Sequence, residues 1–253
     1  MATLLTLIGA GFAIGTLIGV TGMGGGALMT PFLILVMKLD PTVAIGTDLT
    51  FAAITKWSSG LQHRRQKTAG LRVVFWLATG SLPASLTVSS LAVSSLIEDS
   101  RLSQYLGDIL GVVLILVAIY TLAREFNWIK VKDDPNWPPA WILILIGAVG
   151  GALVGLTSVG SGTIIMASLL IFFSIPPAQM VGLDVLHGAL LTTVPAWVYA
   201  HAGLVDWHLV LWLLIGSVPG GWLGARLVSV VPYKPVRVIL SGILLVAGYT
   251  LVF

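Results

Sequence analysis

Apolar tracts run at about residues 3 to 22, 26 to 37, 42 to 61, 71 to 97 and 102 to 123, and again at about 140 to 159, 162 to 174, 178 to 200, 206 to 230 and 236 to 253. About 20 apolar residues, at 1.5 Å each, cross a hydrocarbon core of about 30 Å, so the long tracts predict membrane-spanning helices. Residues 26 to 37 would make a helix of only about 18 Å, too short to cross. This tract, like 162 to 174, is expected to start near the midplane as a broken or re-entrant element. The first tract begins directly after Met1 with no basic run before it, which predicts a retained helix rather than a cleaved leader. Between the two sets of tracts lies the longest polar stretch, Arg124 to Pro139, with Glu125, Lys130, Lys132, Asp133, Asp134 and three prolines. The expected organisation is a first transmembrane repeat at 1–123, a cytoplasmic linker at 124–139 and a second repeat at 140–253.

The short tracts follow glycine-rich breaks. Residues 19 to 31 read Gly-Val-Thr-Gly-Met-Gly-Gly-Gly-Ala-Leu-Met-Thr-Pro, and 155 to 163 read Gly-Leu-Thr-Ser-Val-Gly-Ser-Gly-Thr, 136 positions later. Shifting the chain by 136 places Gly19 on Gly155, Thr21 on Thr157, Gly24 on Gly160, Gly26 on Gly162, Pro41 on Pro177, Gly46 on Gly182 and Asp48 on Asp184. Trp76, Gly80, Ser81 and Pro83 then fall on Trp212, Gly216, Ser217 and Pro219. Agreement of Gly, Pro, Asp and Trp in one register marks an internal duplication. An odd number of crossings per repeat makes the repeats inverted. Backbone N–H groups freed at such breaks find no partner in lipid, so the breaks must face protein or a water-lined cavity. Paired breaks in two halves point to a transporter's substrate site.

With 57% hydrophobic and 9% charged residues, the chain is an all-α polytopic membrane protein, and its net charge of +3 sets orientation rather than nucleic-acid binding. His63, Arg64, Arg65, Lys67 and Arg72 place the connection after the third tract in the cytoplasm, as do Lys234 and Arg237 in the second half, with both termini outside. The absence of cysteine removes thiolate chemistry and disulfides. His63, His187, His201 and His208 lack metal-site spacing, and no cofactor motif or paired-carboxylate centre indicates an enzyme.

The motif Gly19 to Leu33, followed by Ala44, Gly46 and Thr47, is similar to the glycine-rich signature of the TauE/SafE-type sulfite exporters, also called the toluene-sulfonate uptake permease family. The second copy, with Val181, Gly182, Val205 to Trp207 and the run Gly220 to Arg226, resembles it too. Asp48 and Asp184 depart from the family pattern, which has a small hydroxyl residue after Gly-Thr. Ser161 dilutes the second glycine run, and Ala167 stands where the first copy has Pro31. The resemblance implies a membrane carrier for sulfur-containing oxyanions or organosulfonates, sulfite leading, with export as the expected direction.

A helix that starts at a break aims free N–H groups and the positive end of its dipole inward, a recipe for holding an anion. The candidate binding residues are Thr21, Gly22, Gly24, Gly25, Gly26, Thr157, Ser158, Gly160, Ser161 and Gly162; the same glycines could instead serve close helix packing, as could Gly9 to Gly19 and Gly147 to Gly155. Asp48 and Asp184 are intramembrane carboxylates, functional by default or else caps of short helices near the surface. Asp184 and His187, three apart, are a candidate proton-coupling pair, and Thr55 shares a face with Asp48. Lys56 either attracts the anion or snorkels to the basic loop. Pro83 and Pro219 are expected to bend their spans, as pivots or packing kinks. Trp57, Trp128, Trp137, Trp141 and Trp207 read as interface anchors. The expected partners are a small anion, the lipid bilayer and protons, with energy from a gradient or voltage. An anion channel, or an uptake carrier for another anion, is the alternative.

Overall fold

The computed structural model describes residues 2–22, 25–65, 71–98, 102–126, 128, 139–159, 162, 165, 168–169, 177–227, 230–231 and 233–253. Nine α-helices lie within them: α1 Ala2–Thr21, α2 Gly25–Pro31, α3 Pro41–Arg65, α4 Leu71–Glu98, α5 Leu102–Glu125, α6 Ala140–Thr157, α7 Pro177–His201, α8 Trp207–Leu227 and α9 Tyr233–Val252. A π-helical turn, Phe32–Val36, extends α2, capped by Met37 and followed by Lys38, whose φ is 58°. The short first element is thus observed, as α helix then π turn, whereas most of 162 to 174 lies outside the described residues. Among the described residues, seven helices are long and apolar enough to cross a membrane. At 25 residues α3 is long enough, about 37 Å, but carries Asp48, Lys56 and several threonines. It tolerates them because they face protein: Thr47, Asp48, Thr55, Lys56 and Ser59 are all fully buried.

Local chemistry sets the helix starts. Asp40 precedes Pro41 and its Oδ1 accepts from the Thr42 N–H at 2.9 Å, an N-cap followed by proline at the first helical position. Asp206 caps α8 the same way, accepting from the Leu209 N–H at 3.0 Å. The helices α4 and α8 run continuously through Pro83 and Pro219. The neighbouring glycines Gly80 and Gly216 are points of contact.

The main packings are α1 on α8, α4 on α6, α3 on α7 and α5 on α9. Glycine makes the first two close. A Cβ on Gly11, Gly15 or Gly19 would strike the backbone of Leu213, Ser217 or Gly221, and one on Gly147, Gly151 or Gly155 that of Leu77, Ser81 or Ser85. Each of these second contacts is the first with both partners moved by 136 in opposite senses. Gly216 on Ile8 and Gly80 on Ile144 repeat the relation. The duplication legible in the sequence therefore reappears as an exchange, in which a helix of each half packs against the other half. Gly9 alone of the stripe meets nothing within 4 Å. Between α3 and α7, Trp57 Nε1 donates to Thr193 Oγ1 at 3.1 Å, so a residue here touches its own counterpart. Trp57, read from the sequence as an interface anchor, is thus hydrogen-bonded to a partner helix.

Candidate functional site

The helices α1 and α6 end alike. The Gly22 N–H donates to Ile18 O and the Ser158 N–H to Val154 O, each at 2.9 Å. Both residues then turn left-handed, with φ of 68° and 63°. Glycine adopts this at little cost; serine pays roughly 1 kcal/mol. The Ser158 side chain explains the exception, since its Oγ donates to Asp48 Oδ2 at 2.6 Å. Thr30 Oγ1, from α2, donates to the same oxygen at 2.6 Å. At the other break, Gly22 leaves room for the second carboxylate: a Cβ there would lie 3.0 Å from Asp184 Oδ2. Each half thus sends the aspartate of its central helix, α3 or α7, to the break of the other half.

The breaks themselves meet. A Cβ on Gly26 would collide with the main-chain oxygen of Ser158, and Gly26, Ser158 and Gly162 are all buried. Met23, Gly24, Gly160 and Ser161 lie outside the described residues, while Gly25 opens α2. The two threonines are committed to their own helices: Thr21 Oγ1 donates to Leu17 O at 2.6 Å and Thr157 Oγ1 to Leu153 O at 2.8 Å.

Both aspartates are the eighth residue of a 25-residue helix and fully buried, so neither caps a helix at the surface. Asp184 does not pair with His187. Lys56 Nζ stands 3.8 Å from Asp184 Oδ2 with both side chains sealed from solvent, and His187 Nε2 shares a hydrogen bond with Ser81 Oγ at 2.9 Å. Lys56 does not snorkel: its ammonium lies over Gly188, where a Cβ would displace it. Thr55 bonds Ser217 Oγ at 2.7 Å, so it serves the α3–α8 contact and not Asp48. Arg237 was expected in a loop. It lies within α9, buried, with Nη1 3.1 Å from Glu125 Oε1 of α5. Among the described residues no group of acids and histidines could hold a metal ion.

Sequence reasoning missed Thr30 as an Asp48 partner and Ser81 as a His187 partner. The signal for Ser81 was its place in the repeat register; for Thr30 there was only an apolar helix holding one hydroxyl. Removing either hydroxyl on Asp48 deprives a buried carboxylate of a hydrogen bond. Ser158→Ala and Thr30→Val are each expected to destabilise by about 1 to 3 kcal/mol, read as lower melting temperatures in detergent. Ser158→Gly should lose less than Ser158→Ala, because glycine recovers the cost of the left-handed turn.

The family model described as "Sulfite exporter TauE/SafE" matches residues 7–251. The chain is 38% identical over 254 residues to the probable membrane transporter protein YjnA of Bacillus subtilis, covering 98% of this chain and 99% of that one. It is 26% identical over 265 residues to YunE of the same organism, covering 98% and 96% of the two chains, and YunE is likewise named a probable membrane transporter protein. Over 258 residues it is 27% identical to the probable membrane transporter protein MJ0441 of Methanocaldococcus jannaschii, covering 96% and 92%. No solved structure matches the chain. With a buried polar seam between two duplicated halves, and a family match running almost end to end, the chain belongs to the TauE/SafE family of membrane transporters.

Proposed function

We propose that this chain is a secondary transporter that carries a small sulfur-containing oxyanion or organosulfonate, sulfite first, out of the cell by alternating access. The observation that carries the reading is the contact of Gly26 with Ser158, which puts both chain breaks in one buried place between the halves. The halves are inverted in the inner membrane, with both termini outside and the α3–α4 connection in the cytoplasm. The anion sits at the seam, where amides of Gly24 to Gly26 and Gly160 to Gly162 and the Ser161 hydroxyl hold its oxygens. Thr21 and Thr157, whose hydroxyls also bond carbonyls of their own helices, flank the anion there. The substrate class comes from family membership; the physics of the seam asks only for a compact anion.

Purified protein should be thermally stabilised by sulfite or a sulfonate when screened against sulfite, sulfate, thiosulfate, taurine and sulfoacetate. In proteoliposomes the flux of that anion should saturate. Gly25→Leu and Gly160→Leu should abolish both effects while the protein still inserts. Ohmic current in place of saturating flux overturns the carrier, and unchanged transport in both variants removes the seam as the site.

A further inference from the structure

The two halves differ in charge beside the breaks. Asp48 and Asp184 are counterparts, as are Ser158 and Gly22, yet the counterpart of Lys56 is Thr192, which turns back to Gly188 O at 2.7 Å. The Lys56 ammonium therefore bears on two carboxylates within the bundle, and it stands beside the one packed on Gly22.

Building on the transporter reading, we propose that Lys56 is the cation that receives the substrate anion and that Asp184 is its resident substitute, so that one proton is taken up with each monovalent anion. In the structure Asp184 occupies the ammonium at 3.8 Å. An arriving anion and the carboxylate then compete for one positive charge, and an uncompensated second negative charge is costly in a low-dielectric interior. The conflict ends when a proton from the water on the loading side forms an O–H bond on Asp184. Lys56 stays protonated and turns its N–H groups from Asp184 Oδ2 to the anion's oxygens. On the far side the anion leaves, the O–H bond breaks, the proton goes to water and the ion pair re-forms. The net charge of the cluster is the same before and after loading.

Among the described residues, the groups that bear on Asp184 are few. From α3 come Lys56 and Asp48, the latter held by Thr30 and Ser158. From α7 itself comes His187, bonded to Ser81 of α4. From α9 comes Arg237, paired with Glu125. The helices α1 and α6 contribute no titratable side chain.

The test uses the full chain in proteoliposomes with pyranine inside and methanesulfonate outside, an anion that carries no proton of its own. In the wild type, inward methanesulfonate flux should acidify the lumen by about one proton per anion, and a pH gradient, not a voltage, should drive it. Binding, read by thermal shift, should weaken towards tenfold per pH unit on the alkaline side. Asp184→Asn should abolish that pH dependence, and Lys56→Gln should lower methanesulfonate affinity at least tenfold at every pH. Wild-type flux without proton movement overturns the exchange and leaves the transporter reading standing, and it does so even if no variant folds. An Asp184→Asn protein whose affinity still falls tenfold per pH unit also overturns it, since the proton then sits elsewhere. No flux of methanesulfonate, sulfite, thiosulfate or taurine overturns both.

Discussion

Gly15→Leu and Gly151→Leu should each abolish recovery of monodisperse protein in mild detergent, whereas Gly9→Leu should leave it unchanged. The reason is geometric. A Cβ on Gly15 would lie 2.5 Å from Ser217 O and 2.6 Å from its Cα, and one on Gly151 would lie 2.7 Å from Ser81 Cα. These are backbone atoms, which cannot rotate away as a side chain can, so α1 must leave α8, or α6 must leave α4. Membrane helices associate by close backbone approach and lack a hydrophobic drive between them, so the lost contact is not recovered elsewhere. Overpacking commonly costs about 1 to 3 kcal/mol, and separating a whole helix seam costs more, against a total stability of about 5 to 15 kcal/mol. Gly9 has nothing within 4 Å of a new Cβ and serves as the control. Fluorescence-detected size-exclusion chromatography gives the answer directly. A sharp peak with an unchanged melting temperature for either core variant would show that the two helix pairs are not in contact as described.

Lys56→Met alone should destabilise the fold by about 3 to 5 kcal/mol, and Asp184→Leu alone by a similar amount, because each strands a buried charge. The double variant Lys56→Met with Asp184→Leu should recover most of that loss and transport nothing. Replacing a whole buried pair with apolar residues is often neutral or stabilising, since the attraction at 3.8 Å barely repays the removal of two ions from water. Met keeps the apolar stem of the lysine, which lies against Gly188. Thermal melts of the four proteins form a double-mutant cycle whose coupling should be several kcal/mol. A folded but inactive double variant would separate what the pair does for stability from what it does for transport. Simple additivity of the two losses would show that Lys56 and Asp184 do not pair.

Much of this architecture was legible because glycine, proline, aspartate and tryptophan are poor substitutes for anything else. Gly19 and Gly155, or Asp48 and Asp184, could be aligned across 136 positions without knowing any contact. The stripe Gly11, Gly15, Gly19 announces that a backbone comes close, but not which one. That α8 rather than a neighbour in its own half supplies it required coordinates. Side-chain partners were harder for the same reason. Spacing on a helix offers Asp184 a histidine one turn on, whereas the ion pair it forms is with a lysine of the other half. Arg237 near a basic loop reads as an orientation signal until Glu125 of α5 is seen beside it. Ser158 is the instructive residue: beside a glycine run its hydroxyl reads as a donor for an anion, yet in the structure it donates to a carboxylate of the protein itself.

The bond between Trp57 and Thr193 has a geometric corollary. Two points that map onto each other and also touch must straddle the symmetry axis of the pair they belong to, and the exchange of contacts between α1–α8 and α6–α4 identifies that axis as approximately two-fold. Any transition that swaps the shapes of the two halves carries every off-axis residue to a new environment but returns this tryptophan to the same neighbour. In the alternating-access cycle proposed above, Trp57, 41% exposed, would be the still point of the molecule, against which displacement of everything else can be measured.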